Sequence, residues 1–161
     1  LTDKNAAKSR EWCGRLSSEG KYEVSDDSKA LLKEDFYGGC CDDEQTKETI
    51  KKTYEKYSYT LDTHTAVAVK VYEDYKSATG DETRTIIAST ASPYKFSASV
   101  LEAIDGRKPE IDEFAMVDRL YEISQYEIPD ALASLKNKEI RFSESVESNQ
   151  MKDFVLKTLG M

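Results

Sequence analysis

The sequence predicts a predominantly helical α/β fold with one or two short strands. Its 161 residues are enough to bury a core, and 39% hydrophobic residues place it well above the disordered class. Most apolar residues recur at helical spacing, whereas one run, residues 85–89, has the composition of a buried strand. No low-complexity linker interrupts the chain, so we expect one segment over residues 1–161.

Two helices are predicted at the amino end. Residues 3–19 contain one helix breaker, Gly14, and the first helix should end near Gly20. The Ser25 hydroxyl is suited to accept a backbone hydrogen bond at the start of a second helix, which should run toward Phe36.

Two further helices are predicted before the strand. Asp42 and Asp43 put acids where the helix dipole favours them, and the third helix should end near Ser58. Residues 65–75 are ambiguous, because their valines alternate as in a strand and are also spaced as in a helix. We favour a helix that ends at Gly80.

The clearest strand covers residues 85–89, where Ile86 and Ile87 are flanked by β-branched and small residues. A single strand has nothing to pair with. This strand should therefore join a larger sheet whose other members lie outside the chain.

Helices are predicted again toward the carboxyl end. Ser92 and Pro93 suit a helix start, apolar spacing beyond Pro109 indicates another helix, and Pro129 should begin a short one. A brief extended piece at residues 140–142 should precede the last helix. That helix carries apolar residues at helical spacing: Met151, Phe154, Val155 and Leu159.

Charge and composition exclude several classes of partner. The net charge of −8 repels nucleic acid and anionic membranes. No apolar run reaches the roughly 18 residues of a membrane span, and residues 1–10 lack the apolar stretch of a signal peptide. The chain begins at Leu1 rather than at Met, so we expect a processed or truncated product.

The cysteines and the single histidine indicate neither a disulfide framework nor a metal site. Three cysteines are an odd number, and Cys40 and Cys41 are adjacent, so reduced thiols in a cytoplasm are the simplest interpretation. The cysteines and His64 lack the spacings typical of zinc ligands. We therefore expect a cytoplasmic protein without a metal.

The junction after the predicted strand carries the most chemistry. Ser89, Thr90 and Ser92 offer neutral hydroxyl groups where a strand would lead into a helix, a position at which α/β enzymes bind ligands. The free N–H groups at the helix start are suited to hold an anion. The alternative is structural, with Ser92 as an ordinary cap and the other hydroxyls satisfying a turn.

Four segments resemble threonine synthases. TIIASTASPYKF, residues 85–96, is similar to the family's S-T-A-x-P-x-K-F stretch, and LDTHTAVAVKVYEDY, residues 61–75, resembles its D-P-H-T-A-V segment. GKYEVS at residues 20–25 and DFYGGCCDDEQT at residues 35–46 resemble the region upstream. The four matches follow the family's order.

The resemblance implies the carboxy-terminal part of a fold-type II enzyme that uses pyridoxal phosphate. Members of this family are lyases, so the resemblance also implies the conversion of O-phosphohomoserine and water into threonine and phosphate. Thr90 would correspond to the hydroxyl that meets the pyridine nitrogen of the cofactor, with Ser89 as the weaker candidate. A neutral hydroxyl does not force the ring to be protonated, which moderates the electron sink.

His64 is a weaker candidate for a catalytic role. An imidazole can exchange a proton near neutral pH, so His64 is suited to general acid or base catalysis. The alternative is a residue at a helix entry that is hydrogen-bonded by Asp62 or by backbone. Thr63 stands where the family usually has proline, which puts the rigid turn before His64 in question.

Two parts of a cofactor site are missing from the sequence. No lysine lies in the family's Schiff-base setting, and no glycine-rich loop is available to hold the cofactor phosphate. We therefore expect an amino-terminal part of the same enzyme as the partner, with this chain alone inactive and binding no cofactor. The alternative is a stand-alone helical interaction module that has lost catalysis.

Overall fold

The computed structural model describes residues 1–141 and 143–161. Across these residues it contains eight α-helices and no strand, so the predominantly helical fold is confirmed. The helices are α1 (Ala6–Glu19), α2 (Asp26–Asp35), α3 (Asp43–Tyr57), α4 (Thr63–Thr79), α5 (Ser97–Asp105), α6 (Glu113–Ser124), α7 (Asp130–Ala133) and α8 (Met151–Thr158). No described helix is both long enough and apolar enough to cross a membrane.

Helices α3 to α6 enclose the core. Helix α3 packs against α4 and α5, and α5 packs against α6. The Lys47 ammonium on α3 lies 2.8 Å from the Glu102 carboxylate on α5, which raises the pKa of Lys47. The buried apolar residues form one cluster: Ile50, Leu61, Ala66, Tyr94, Val100, Leu101, Ala103, Val117 and Leu120.

The helix ends follow the predicted signals. Ser25 caps α2, accepting from the Ser28 N–H, and Asp42 forms a capping box with Gln45 at the start of α3. Gly80 follows α4 with φ of 70°, in the left-handed region that glycine enters without strain. Residues 65–75, whose apolar spacing is ambiguous, are helical as predicted. The helix is capped by Asp62 at its start and by Gly80 at its end.

The predicted strand at residues 85–89 is not present in the described chain. These residues have no regular secondary structure, and Ile86 is 93% exposed. A strand needs a neighbouring strand to satisfy its backbone groups, and no described segment supplies one. Of the extended piece at residues 140–142, Phe142 lies outside the described residues, and the other two have no regular structure.

Two proline-led helices begin differently from their predictions. Pro93–Phe96 is a 3₁₀ turn, and the α-helix starts only at Ser97. Helix α7 is a single turn that continues as a second 3₁₀ turn, Ser134–Asn137. Short 3₁₀ turns are frequent at helix ends because their i to i+3 bonds tighten the chain.

Candidate functional site

Two segments that are distant in sequence meet at the start of α4. The Ser89 Oγ lies 3.3 Å from the Thr65 Oγ1, and the His64 ring packs against Phe96 with the ring centroids 4.9 Å apart. The hydroxyl segment, residues 89–92, is thus held against the amino end of α4. The chain brings its two most distinctive motifs into one site.

Asp62 organises the amino end of α4. Its carboxylate is buried, and its Oδ1 accepts from the His64 N–H at 2.9 Å and from the Thr65 N–H at 3.2 Å. Its Oδ2 accepts a hydrogen bond from the Thr65 hydroxyl. One side chain therefore caps the helix and also fixes the hydroxyl that contacts Ser89.

Ser89 and Thr90 are both exposed, but their hydroxyl groups differ in their partners. The Ser89 hydroxyl is bonded to Thr65. The Thr90 hydroxyl makes no hydrogen bond with any residue that the structure describes. Of the two neighbours, only Thr90 has a side-chain hydroxyl without a partner among the described residues.

The hydroxyl segment is anchored again on its far side. Ser92 caps the following turn, accepting from the Tyr94 N–H at 3.3 Å, which agrees with the predicted cap. Tyr94 is buried, and its hydroxyl contacts Ser124 and the backbone carbonyl of Tyr126 at the end of α6. Thr90 therefore lies between two points that attach its segment to the core.

His64 lies at the rim of the site. Its side chain is 62% exposed, and its Nδ1 is 3.8 Å from the Asp62 Oδ1 and 3.4 Å from the Thr63 Oγ1. Its backbone N–H is bonded to Asp62, as in the helix-entry alternative. Thr63 is the first residue of α4, a position that accepts proline readily because its N–H has no partner within the helix.

Thr65 and Phe96 belong to the site but were not among the sequence candidates. Thr65 is buried and links Asp62 to Ser89, and Phe96 packs on the His64 ring. A threonine three residues after a capping aspartate is a local signal for the first link. Its contact with Ser89 depends on packing between segments and has no local signal.

Comparisons with known proteins agree with this organisation. The family model described as "Threonine synthase, C-terminal" matches residues 65–155, more than half of the chain. Threonine synthase of Methylobacillus glycogenes is 35% identical over 112 residues, which cover 68% of this chain and 23% of that protein. Threonine synthase of Saccharomyces cerevisiae is 36% identical over 100 residues, or 59% of this chain and 20% of that protein.

The fold agrees with a solved structure. The X-ray crystal structure of PLP-bound threonine synthase from Brucella melitensis matches with a TM-score of 0.54 at 24% identity. The match covers 78% of this chain and 25% of the other, so the chain spans about a quarter or less of the relatives it matches. Because the family model matches more than half of its residues, this chain belongs to the threonine synthase family, in its carboxy-terminal region.

Proposed function

We propose that residues 1–161 form one carboxy-terminal segment of a pyridoxal-phosphate-dependent threonine synthase. The enzyme would be a carbon–oxygen lyase that converts O-phosphohomoserine and water into threonine and phosphate. Family membership supports the reaction, and the free hydroxyl of Thr90 beside an anchored Ser89 is the observation that supports the site.

The residues present fit one edge of the cofactor. Thr90 is exposed and offers a neutral hydroxyl without a partner among the described residues, which suits the nitrogen of a pyridine ring. When bound, the cofactor would supply an electron sink for the carbon atoms of the substrate. Ser89, the weaker candidate, already has Thr65 as a partner.

Thr90 would act by leaving the ring nitrogen without a proton. A threonine hydroxyl donates a hydrogen bond to that nitrogen but keeps its own proton, because its pKa lies far above neutral. A carboxylate at the same place would stabilise a protonated nitrogen and a stronger electron sink. The hydroxyl therefore moderates how strongly the ring withdraws electrons.

His64 is the second candidate for a role in the reaction. It is the only imidazole in the chain and lies at the rim of the same site. Imidazole is the side chain most often used for proton transfer in enzymes. We propose for it a proton-transfer role that is secondary to the role of Thr90.

The remaining parts of the active site would come from an amino-terminal part of the same protein. That part would supply the Schiff-base lysine and the loop that holds the cofactor phosphate, neither of which has a recognisable counterpart in this sequence. We further propose a cytoplasmic location, because three free cysteines suit a reducing compartment. Cell fractionation with an antibody against the chain would test the location.

A titration with pyridoxal phosphate tests the proposal. The full-length gene product that contains this chain should bind the cofactor with a visible absorbance band and should release phosphate from O-phosphohomoserine. Thr90→Ala should lower turnover by about 10- to 100-fold, and Thr90→Ser should retain most of it. Asp112→Ala, which removes the cap of α6, should leave the absorbance band unchanged.

The opposite outcome would favour the helical interaction module. A full-length product that folds, binds no pyridoxal phosphate and releases no phosphate would exclude the enzymatic proposal. A Thr90→Ala variant with native turnover and a native absorbance band would exclude only the role of Thr90, and the rest of the enzymatic proposal would stand.

A further inference from the structure

We propose that Asp62 is a positioning residue for the hydroxyl segment: through Thr65 it orients Ser89 and so fixes the place of Thr90. The proposal rests on the proposed function for the meaning of Thr90. The hydrogen bonds that link Ser89, Thr65 and Asp62 are contacts within this structure. They give the buried carboxylate of Asp62 a role beyond that of a helix cap.

The direction of the hydrogen bonds follows from the donors available. Thr65 has one hydroxyl proton, and the carboxylate of Asp62 can only accept, so that proton points to Asp62. The Thr65 oxygen is then left to accept from Ser89, whose Oγ lies 3.3 Å away. The series of hydrogen bonds therefore runs from the Ser89 hydroxyl through the Thr65 hydroxyl to the Asp62 carboxylate.

Asp62 divides its two tasks between its two oxygens. Oδ1 accepts both backbone N–H groups at the start of α4, whereas Oδ2 accepts the Thr65 hydroxyl. Asparagine would keep the first task, since its amide oxygen also caps helices well. It would reverse the second without breaking the link, because its NH₂ group would donate to the Thr65 oxygen and leave the Thr65 proton for Ser89. Alanine at position 62 would remove both tasks.

Asp112 provides a matched control within the same chain. It caps α6 in the same way, with one oxygen that accepts from the N–H groups of Phe114 and Ala115 at 3.0 Å each. Its other oxygen accepts no hydrogen bond from the described residues. Asp112→Ala therefore removes a cap of the same kind that has no linked hydroxyl groups behind it.

The position of Thr90 explains why the link to Ser89 matters. Residues 81–90 have no regular secondary structure that would hold them. Ser89 is tied to α4 on one side of Thr90, and the Ser92 cap and buried Tyr94 follow on the other side. Loss of the Ser89 link would leave Thr90 anchored from one side only.

Limited proteolysis of the full-length gene product with thermolysin, which cleaves before apolar residues such as Ile86 and Ile87, tests the proposal. Asp62→Ala, Thr65→Val and Ser89→Ala should each raise the rate of cleavage at these two residues by roughly five- to tenfold, the effect of losing one hydrogen bond. Asp62→Asn and Thr65→Ser, which keep the link to Ser89, and Asp112→Ala should keep the native rate. Because Ser89 is exposed, Ser89→Ala keeps the test usable if a substitution at a buried position unfolds the protein.

The cofactor spectrum separates this proposal from the proposed function. If the hydrogen bond between Ser89 and Thr65 fixes the position of Thr90, the three variants should shift the visible band of bound pyridoxal phosphate in the same direction as Thr90→Ala. Faster cleavage in the variants with no cofactor bound by the native protein would overturn the proposed function but retain the anchored segment. Native cleavage rates in all three variants would overturn the positioning role, whatever the cofactor does.

Discussion

The middle of the chain and its two flanks are stabilised by different interactions. The buried apolar cluster lies between Ile50 and Leu120, within α3 to α6 and the segments that join them. Helices α1, α7 and α8, which the structure describes completely, contain no buried residue. The middle is held by packing, whereas the flanks are helical mainly through local signals.

The flanking helices keep apolar side chains exposed. Leu16 on α1 and Leu31 on α2 are 51% and 55% exposed, and Met151 and Val155 on α8 are 58% and 51% exposed. Isolated short helices are marginal in water, since most helical stability comes from packing an apolar face. The difference teaches that the middle supplies the stability of this chain, and the candidate site is built on it.

A core truncation should separate the two regions most strongly. Leu120 is fully buried on α6, so Leu120→Ala should lower the free energy of unfolding by about 2–5 kcal/mol. The smaller truncation Val155→Ala on α8, at a half-exposed position, should lower it by less than about 0.5 kcal/mol. Urea denaturation measures both, and equal losses would show that α8 is packed as firmly as the core.

A glycine contact tests how the amino-terminal flank attaches to the middle. A Cβ at Gly39 would lie 2.8 Å from the Val71 Cγ1 on α4, and a branched side chain has little freedom to move aside. Gly39→Ala should therefore cost about 1–3 kcal/mol of unfolding free energy. Gly38→Ala, with open space around its Cβ, is the control, and similar losses at both glycines would argue against a close contact.

A substitution at the end of α3 should raise the stability of the protein. Ser58 ends this helix with φ of 52°, in the left-handed region that strains residues with a side chain. Ser58→Gly should raise the free energy of unfolding by about 0.5–1 kcal/mol, because glycine enters that region freely. A thermal melt measures the change, and a lower melting temperature would mean that the Ser58 side chain stabilises the turn.

Acid should weaken one contact just beyond α4. Hydrogen bonds from Thr83 and from the Tyr75 hydroxyl lower the pKa of Asp81 from 3.8 to about 2. A lowered pKa in the folded state means that the stabilisation is present above pH 3.8 and is lost as the pH falls through about 2.

Urea denaturation of the native protein and of Asp81→Asn between pH 5 and pH 2 measures the Asp81 contribution. The two stabilities should converge toward the acid end. A difference that does not change with pH would show that the Asp81 charge contributes nothing. Salt should reduce this small effect, since the group is partly exposed.

Local chemistry determined how much of the fold was predictable. The caps at Ser25, Asp42 and Gly80 work through hydrogen bonds between residues a few positions apart, so sequence alone located those helix ends. The strand predicted at residues 85–89 does not form among the described residues, because a strand needs hydrogen-bonding partners from other segments and composition reports only the local preference.

The candidate site shows the same limit. Ser89 and Thr90 were recognisable as hydroxyls in a characteristic motif, but only the structure distinguishes the bonded residue from the free one. The contact between Thr65 and Ser89 joins residues 24 positions apart, and it arises from packing that no local pattern encodes.

The protonation of the cofactor ring tests the central claim most directly. Nuclear magnetic resonance of the full-length gene product with pyridoxal phosphate labelled at the ring nitrogen should show that nitrogen unprotonated. Thr90→Asp should shift its signal to that of a protonated nitrogen, because a carboxylate stabilises the added charge. A ring nitrogen that is protonated in the native protein, or unaffected by the change at Thr90, would contradict the account.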